Sequence, residues 1–398
     1  MSRAIIINRW DLRHVNYQSW LADFQGEIVI IGSVGRGNEQ SASNRNLRYL
    51  EADLDQSLWL SMTVDLIKSS TKAYLVALAE MDILSAASLR ELFGIYGQKN
   101  ISARRFRDKL IMKKSFKDYG ISTARFIELH CQADVIQASE NFGYPFVIKS
   151  RYGMGSIGTF KISGDVERDN FLLNNDSSFI NGFLAEEFIS GQMYCVDGVY
   201  KDKVVEVSFV SKISDGLTHL RSEGYYHYLI DQDTAIANSL RETARLAIEA
   251  LAEGEAVNFT FHCEVFVTSS GELFVCEIAS RTAGARIPCT IKHGSGLDLN
   301  KVMCRLQCDL PVDLNNKLER LCGAFIIPST LSIPSDAMMP EEWDWIIEAT
   351  NFGKDEPSRE AKTYSDSSLE VLFFGKNQKE IEDRLDKLRS FLYSIARR

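Results

Sequence analysis

Hydrophobic and polar positions follow two different patterns along the chain, and the change between them predicts a domain boundary. Over residues 1–102, short apolar runs such as EIVIIG (27–32) and AYLVALA (73–79) alternate with stretches of helical spacing such as SLWLSMTVDLIKSS (57–70). Strands that alternate with helices are typical of βαβ units with a parallel sheet. The pattern predicts an N-terminal, Rossmann-like α/β domain over residues 1–102.

The pattern changes at Ile101, where the segment ISARRFRDKLIMKKSFKDYG predicts one basic amphipathic helix ending at Gly120. Beyond it, strands follow one another as hairpins. The segment YCVDGVYKDKVVEVSFVSKI (194–213) predicts one of these, with its turn at Lys201 and Asp202. An antiparallel α+β region is therefore expected after the N-terminal domain.

This second region is predicted to extend over residues 103–310 and to include a helix near residues 234–253. Prolines then interrupt the pattern, which indicates a C-terminal subdomain over residues 311–398. Its last segment, NQKEIEDRLDKLRSFLYSIARR, places apolar side chains on one helical stripe, with acidic residues early and arginines last, as the helix dipole favours. The fold class is thus α/β with an α+β central region.

Composition and charge favour small-molecule chemistry. The chain has 398 residues, a formal charge of -9 and a pI near 5.4, so a nucleic-acid partner is not indicated. No stretch approaches the ~20 apolar residues of a membrane span, and the N-terminal apolar run is too short for a signal peptide. Eight cysteines are scattered without a CxxC pair and are interpreted as reduced thiols. We expect a cytoplasmic protein without a membrane partner.

A glycine-rich loop is the first candidate for chemistry. In FVIKSRYGMGSIGTFKI (146–162), Lys149 ends a predicted strand and a loop containing Gly153, Gly155, Ser156 and Gly158 leads to the next one. Bare backbone N–H groups can close over phosphate oxygens while the lysine supplies a positive charge. The segment indicates a phosphate-binding hairpin, although a plain β-hairpin with a glycine-rich tip fits the same residues.

The segment FHCEVFVTSSGELFVCEIASR (261–281) predicts two strands joined by the loop SSGE. If Thr268 faces Leu273, then Glu264 faces Glu277 across the hairpin. Two opposed carboxylates repel unless a cation lies between them, and Mg²⁺ prefers such oxygen ligands. The pattern favours a magnesium site, whereas a one-residue slip would leave one glutamate facing solvent.

Two weaker signals concern the substrates. The segment EEFI starts at Glu186, whose carboxylate at a strand end can accept from an adenine amino group. By itself this is a weak signal, and a solvated acidic strand end is the default interpretation. The polar and then aromatic stretch SKISDGLTHLRSEGYYHYL (211–229) is a candidate substrate loop or a plain connection.

Taken together, and in this order along the chain, these segments resemble the ATP-grasp superfamily of carboxylate–amine ligases over roughly residues 103–310. The resemblance implies an ATP-grasp fold with the N-terminal α/β domain and the C-terminal subdomain attached. It implies that Lys109, in RFRDKLIMK, and Lys149 contact the ATP phosphates, and that the loop with Gly153, Gly155 and Ser156 acts as a lid.

The same resemblance assigns the remaining site residues. The Glu186 side chain would contact the adenine amino group, and the backbone of residues Glu187 to Ile189 would contact the adenine ring. Glu264 and Glu277 would hold Mg²⁺. Arg281 would face the phosphoryl and carboxylate groups as a catalytic cation. Apart from the resemblance, Arg286, five residues after Arg281, is a candidate clamp for a substrate carboxylate, and a surface arginine is an equal interpretation.

Two positions depart from the family pattern, which commonly has glutamate where Met193 stands and asparagine where Ala279 stands. The segment EIASRTAGAR fits the E-x-x-x-R-x-x-G form found in amino-acid ligases of the superfamily. We therefore predict an ATP-dependent ligase that joins an amino acid or other small carboxylate to an amine. The alternatives are an ATP-grasp kinase acting on a hydroxyl compound and an inactive nucleotide-binding scaffold. A homodimer, the usual assembly of such enzymes, is compatible with the sequence.

Overall fold

The computed structural model contains three β-sheets with helices packed against them. It describes the chain except for residues 11, 13, 14, 34–45, 56, 215–223, 253, 254, 256, 315, 316, 335, 336, 353–366, 397 and 398. The middle of the candidate substrate loop, residues 215–223, therefore lies outside the described residues. The architecture is mixed α/β, as predicted.

The N-terminal sheet is parallel and four-stranded, with the order β3-β2-β1-β4. Its central strands are continuous buried apolar runs, because helices cover both faces of a parallel sheet. Chain segments that follow β1 and β4 lie at the carboxyl edge of this sheet. The elements are β1 (Ser2–Asn8), α1 (Tyr17–Trp20), β2 (Glu27–Gly32), β3 (Leu47–Glu51), α2 (Leu58–Lys68), β4 (Lys72–Ala77) and α3 (Ile83–Leu92).

The basic segment after this domain forms two helices, α4 (Asn100–Arg107) and α5 (Lys109–Asp118), so the prediction of one continuous helix was wrong. Asp108 interrupts it with an extended backbone, and its carboxylate accepts from the Leu110 N–H at 3.0 Å. An aspartate that caps a helix in this way stabilises a new N-terminus at the expense of a continuous helix. Lys109 thereby becomes the first residue of α5.

A second, antiparallel sheet has the strand order β5-β8-β6-β7. Three helices cover one face, and its small core includes the buried side chains of Val135, Phe146, Ile148 and Phe171. The elements are β5 (Phe126–Leu129), α6 (Gln132–Phe142), β6 (Phe146–Ser150), β7 (Thr159–Ile162), α7 (Asp165–Asn174), α8 (Ser177–Ile180) and β8 (Phe183–Glu187).

The third sheet is antiparallel and eight-stranded, with the order β13-β12-β9-β10-β11-β14-β16-β15. Its first five strands are β9 (Gly191–Lys201), β10 (Val204–Ile213), β11 (Tyr225–Leu229), β12 (Phe259–Thr268) and β13 (Leu273–Ala279). The β9–β10 turn lies at Asp202 and Lys203, both with left-handed φ, one residue later than predicted. Helices α9 (Ala235–Ala252), α10 (Ile287–Ser295) and α11 (Leu299–Gln307) accompany these strands.

The C-terminal strands β14 (Leu321–Pro328), β15 (Ile346–Asn351) and β16 (Ser367–Gly375) extend the same sheet. The final helix, α12 (Gln378–Ile395), buries the predicted stripe of Ile381, Leu385, Leu388 and Leu392. The domain boundaries at residues 102 and 310 stay predictions. Among the described residues, no helix is long and apolar enough to cross a membrane.

Gly198, in the middle of β9, offers a test of the sheet packing. A Cβ atom there would lie 2.2 Å from the Val207 carbonyl oxygen and 2.9 Å from the Phe261 ring. We expect Gly198→Ala to lower the free energy of unfolding by about 1–3 kcal/mol, because neither neighbour has room to move. Urea denaturation measures the change. Gly164→Ala is the control, since its Cβ would meet nothing within 4 Å and its φ is extended; equal losses in both variants would contradict the packing argument.

Candidate active site

A cavity of about 1330 Å³ lies between the second and third sheets and reaches the carboxyl edge of the N-terminal sheet. Arg9, Trp10 and Glu80 line it from the N-terminal domain. The cavity brings together the site residues predicted from sequence except for Arg286: Lys109, Lys149, Gly153, Gly155, Ser156, Glu186, Glu187, Ile189, Glu264, Glu277 and Arg281.

Glu264 and Glu277 lie directly opposite each other on β12 and β13, as predicted. The predicted register of the hairpin was nevertheless wrong closer to the turn, where Val265 pairs with Val275 rather than with Cys276. The turn is one residue tighter than assumed, because the Thr268 N–H donates to the Glu272 carbonyl oxygen. A bulge after Glu264 then compensates for the tighter turn.

Two of the predicted phosphate-binding cations are held by carboxylates. The Lys109 Nζ lies 3.2 Å from Glu277 Oε2 and donates to the Gly153 carbonyl oxygen at 2.7 Å. The Lys149 Nζ lies 2.9 Å from Glu186 Oε1. Burial raises the pKa of Glu277, but Lys109 and Lys149 outweigh it and lower that pKa to about 2. The cavity therefore pairs lysine ammonium groups with carboxylates.

Sequence reasoning missed Lys113, a fully buried lysine one turn after Lys109. Its Nζ lies 3.2 Å from Glu186 Oε1 and donates to Thr123 Oγ1 at 2.7 Å. Burial lowers the pKa of Lys113, and Glu186 opposes that shift. The Glu186 carboxylate, predicted to meet the adenine amino group, thus lies between Lys149 and Lys113. The only sequence signal for Lys113 was its position one helical turn after Lys109 on α5.

The glycine-rich loop joins β6 to β7 as predicted. Gly155, Ser156 and Gly158 all have left-handed φ, which explains the two glycines. The base of the loop is fixed by Arg151, which forms a bidentate pair with the Asp108 carboxylate at 2.6 and 3.0 Å. Because Asp108 also caps α5, one carboxylate ties the loop to the helix that carries Lys109.

The predicted hinge connects the second sheet to the third. Ile189 lines the cavity, while the Glu187 side chain pairs with Arg125 at 2.6 Å and the Glu187 N–H donates to the Arg125 carbonyl oxygen. Met193 also lines the cavity and is buried. The apolar thioether of Met193 therefore lies where the family commonly has a carboxylate. Ala279, the second position that departs from the family pattern, lies two residues after Glu277 on β13.

Arg281 is anchored by the N-terminal domain, which sequence reasoning missed. Its Nε donates to Glu80 Oε2, and its Nη1 donates to the Thr282 carbonyl oxygen at 2.7 Å. Arg107 pairs with the other oxygen of Glu80 at 2.9 Å. The separation of about two hundred residues between Glu80 and Arg281 left no local sequence signal.

Arg286 lies outside the cavity lining. Its guanidinium contacts Glu348 at 2.7 Å and Glu370 at 3.7 Å, both on the C-terminal strands. The neighbouring residues Ala285 and Ile287 do line the cavity. The proposed substrate clamp is thus engaged by two protein carboxylates, and this pairing fixes the loop between β13 and α10.

A buried polar row lies beside Glu264. The His262 Nδ1 is 2.9 Å from Asp197 Oδ1, and its Nε2 is 3.3 Å from Glu264 Oε1. Burial lowers the pKa of His262, but Asp197 and Glu264 outweigh it and raise that pKa to about 10. Alternation along β9 and β12 was the signal that could have found this row.

Comparisons with known proteins agree with this geometry. Residues 114–285 match the model of the ATP-grasp domain. The L-arginine-specific L-amino acid ligase of Bacillus subtilis is 24% identical over 359 residues, covering 85% of this chain and 84% of the relative. The N5-carboxyaminoimidazole ribonucleotide synthase of Staphylococcus epidermidis is 25% identical over 211 residues, covering 51% of this chain and 52% of that protein.

Solved structures share the fold over the whole chain. The crystal structure of an L-amino acid ligase from Bacillus licheniformis has a TM-score of 0.75 at 16% identity, with 100% of this chain and 98% of that chain covered. Carboxyaminoimidazole ribonucleotide synthase from Aspergillus clavatus, complexed with ATP, has a TM-score of 0.74 at 16% identity and 99% coverage of both chains. The chain carries an ATP-grasp domain, and the predicted class of ATP-dependent, carbon–nitrogen bond-forming ligase is confirmed.

Glu80 gives a test of how Arg281 is held. We expect Glu80→Gln to lower turnover about 10- to 100-fold, because a neutral amide no longer fixes the Arg281 guanidinium and small displacements of catalytic groups are costly. Steady-state ATP consumption measures the loss. The control is Asp23→Asn, which also lies in the N-terminal domain and removes an ion pair with Arg305 on α11. Unchanged turnover in Glu80→Gln would show that Arg281 needs no anchor.

Proposed function

We propose that this protein joins an amino acid or another small carboxylate to an amine through an acyl phosphate, with ADP and phosphate as products. The observation that carries the proposal is the cavity in which Lys109, Lys149 and Arg281 face the opposed carboxylates of Glu264 and Glu277. Cations beside paired carboxylates are the arrangement that phosphoryl transfer requires.

The nucleotide end of the cavity follows from the hinge. We propose that the adenine lies beside Glu186 and the segment Glu187–Ile189, and that Lys109 and Lys149 bind the phosphates under the loop with Gly153, Gly155 and Ser156. Both lysines are already charged and oriented by carboxylates, so little reorganisation is needed when the phosphates arrive. Met193 offers no acceptor, so we expect the ribose hydroxyls to be recognised elsewhere.

The residues present fit a magnesium ion. Glu264 and Glu277 provide hard oxygen donors on facing strands, and both line the cavity. Magnesium bound there would offset the negative charge of the triphosphate. Ala279 contributes no oxygen from its side chain, so we expect the two glutamates to be the protein's carboxylate ligands.

The reaction then has two displacements. A carboxylate oxygen of the first substrate attacks the γ-phosphorus of ATP, the bond to the β-phosphate oxygen breaks, and ADP leaves. The nitrogen of the amine then attacks the acyl carbon, phosphate leaves with the bonding electrons, and the amine gives up a proton. Lys149 and Arg281 lie where they offset the negative charge of both displacements, and the glycine-rich loop limits access of water to the acyl phosphate.

The substrate end of the cavity is proposed to be the part lined by Arg9, Trp10 and Met81 from the N-terminal domain and by Thr282 and Gly284 after β13. Arg281 is paired with Glu80 from the N-terminal domain and interacts electrostatically with Glu277 and Glu264, so we expect a substrate carboxylate bound by it to lie beside the phosphates. The similarity to an L-amino acid ligase supports an amino acid as one substrate.

We also expect the protein to act in the cytoplasm, where its eight free cysteines stay reduced.

The nature of the products tests this proposal. We expect ATP, Mg²⁺, a panel of amino acids and hydroxylamine to yield a hydroxamate together with ADP and phosphate, because hydroxylamine replaces the unidentified amine in attacking the acyl phosphate. Hydroxamate is read as its ferric complex, and the nucleotides are separated by chromatography. AMP and pyrophosphate would refute the mechanism, and ADP formed with hydroxyl compounds but without hydroxamate would identify a kinase.

Glu277 tests the metal assignment. We expect Glu277→Gln to lower turnover about 100-fold or more, because the amide keeps the shape of the side chain but loses the charge that holds both the metal and Lys109. Turnover is measured at saturating ATP over a range of Mg²⁺ concentrations. Glu272→Gln, in the turn of the same hairpin, is the control. Wild-type turnover of Glu277→Gln with Mg²⁺ as the only divalent ion would rule out the assignment.

A further inference from the structure

Asp197 is a completely buried carboxylate on β9 that the proposed reaction does not use. Its cross-strand neighbours are Phe209 on β10 and His262 on β12. Oδ1 accepts from His262 at 2.9 Å, whereas Oδ2 has no hydrogen-bond partner. Burial of a carboxylate beside an aromatic ring is costly unless a cation compensates for it. The hydrogen bond with His262 therefore offsets part of the cost of burying this carboxylate.

His262 contacts a carboxylate at each ring nitrogen. Nδ1 faces Asp197, and Nε2 faces Glu264 Oε1 at 3.3 Å. The two ring nitrogens therefore bridge the carboxylates of Asp197 and Glu264. The row Asp197–His262–Glu264 is thus a chain of two side-chain contacts at hydrogen-bonding distance.

The two proposed metal ligands are held from different sides. Glu277 contacts Lys109, a residue expected to change partners when phosphates bind. Glu264 is held by His262, whose own anchor Asp197 is buried and is not among the residues that line the cavity. A glutamate side chain has several rotatable bonds, so an anchor that ATP does not disturb keeps its carboxylate in one orientation.

We propose that Asp197 and His262 are positioning residues that orient the Glu264 carboxylate for metal binding. This inference rests on the proposed function of Glu264 and Glu277. Hydrogen-bond partners of metal ligands typically change metal affinity about 10- to 100-fold when they are replaced. The two residues touch neither ATP nor the substrates in this scheme, so their effect passes through Glu264.

A different interpretation of the row is a metal site of its own, because the Cys195 thiol lies with Asp197 and His262 in one cluster. Burial and the Asp197 carboxylate raise the pKa of Cys195, which favours the thiol over the metal-binding thiolate. The direct hydrogen bond between His262 and Asp197 also occupies two of the atoms that would bind the ion. The positioning role therefore fits the row better, and the metal content of the protein separates the two.

The test measures Mn²⁺ binding in the presence of ADP, with free Mn²⁺ detected by electron paramagnetic resonance. We expect Asp197→Asn to weaken Mn²⁺ binding about 10- to 100-fold. An asparagine keeps the shape of Asp197 but replaces one carboxylate oxygen with an amide N–H, so it holds the His262 ring less firmly and leaves the Glu264 carboxylate less well oriented. Turnover of this variant should recover at high Mg²⁺, because the reacting groups remain in place.

Thr260→Val is the matched control. Thr260 lies on the same face of β12, two residues before His262, is buried, and has no partner for its hydroxyl. We expect this variant to bind Mn²⁺ as the wild type does.

His262→Gln provides a second measurement should Asp197→Asn fail to fold. The glutamine amide can still donate one uncharged hydrogen bond to Glu264. We therefore expect His262→Gln to weaken Mn²⁺ binding, by a smaller factor than is expected for Asp197→Asn.

Each result decides between the interpretations. Unchanged Mn²⁺ affinity in Asp197→Asn, or in His262→Gln if only that variant folds, would overturn the positioning role, as would an equal loss in Thr260→Val. Zinc retained by the purified wild type but lost from Asp197→Asn would overturn it in favour of a separate metal site. Mn²⁺ binding that survives Glu277→Gln would instead show that the proposed metal site itself is wrong.

Discussion

The pairing of β12 with β9 on one side and β13 on the other is the constraint on which the site depends. Because alternate residues of a strand share a face, this pairing places Asp197, His262, Glu264 and Glu277 on one face of the sheet. Without the bulge after Glu264, Glu277 would lie opposite Cys263 and point to the other face. A single extra residue in β13 therefore decides whether the two carboxylates can act together.

Charge balance is the second condition that the cavity meets. Lys109 is paired with Glu277, Lys149 with Glu186, and Arg281 with Glu80. Leaving any of these buried cations unpaired would cost several kcal/mol. An incoming triphosphate gives the lysines alternative anionic partners, so binding exchanges ion pairs that already exist. The oriented charges are present before the nucleotide arrives, which is the condition for effective electrostatic stabilisation.

Much of the fold and part of the site could be predicted from sequence, for identifiable physical reasons. Period-two and helical patterns are local, so the parallel N-terminal sheet, the hairpins and the buried stripe of α12 were predicted, and the order of motifs indicated the ATP-grasp domain. The register near the turn of the β12–β13 hairpin was predicted wrongly, because Gly271 permits a tighter turn than the four-residue loop that we assumed. Asp108 was overlooked as a helix cap inside a basic segment. Glu80 could not be found from spacing, since it acts on a residue about two hundred positions away in the chain. Asp197 required the pairing of β9 with β12 in addition to the alternation along each strand.

The anchoring of Arg281 by Glu80 has a consequence for where the functional unit begins. The recognisable family segment starts at residue 114, after Glu80, Arg107 and Lys109. A fragment cut at that point would retain both glutamates of the hairpin and the glycine-rich loop. It would lack Lys109, the first lysine proposed to bind the phosphates, and Arg281 would have no carboxylate to hold it. In the proposed reaction the N-terminal α/β domain thus contributes to the site, and exchanging it between related ligases requires that a carboxylate be kept just after its β4 strand.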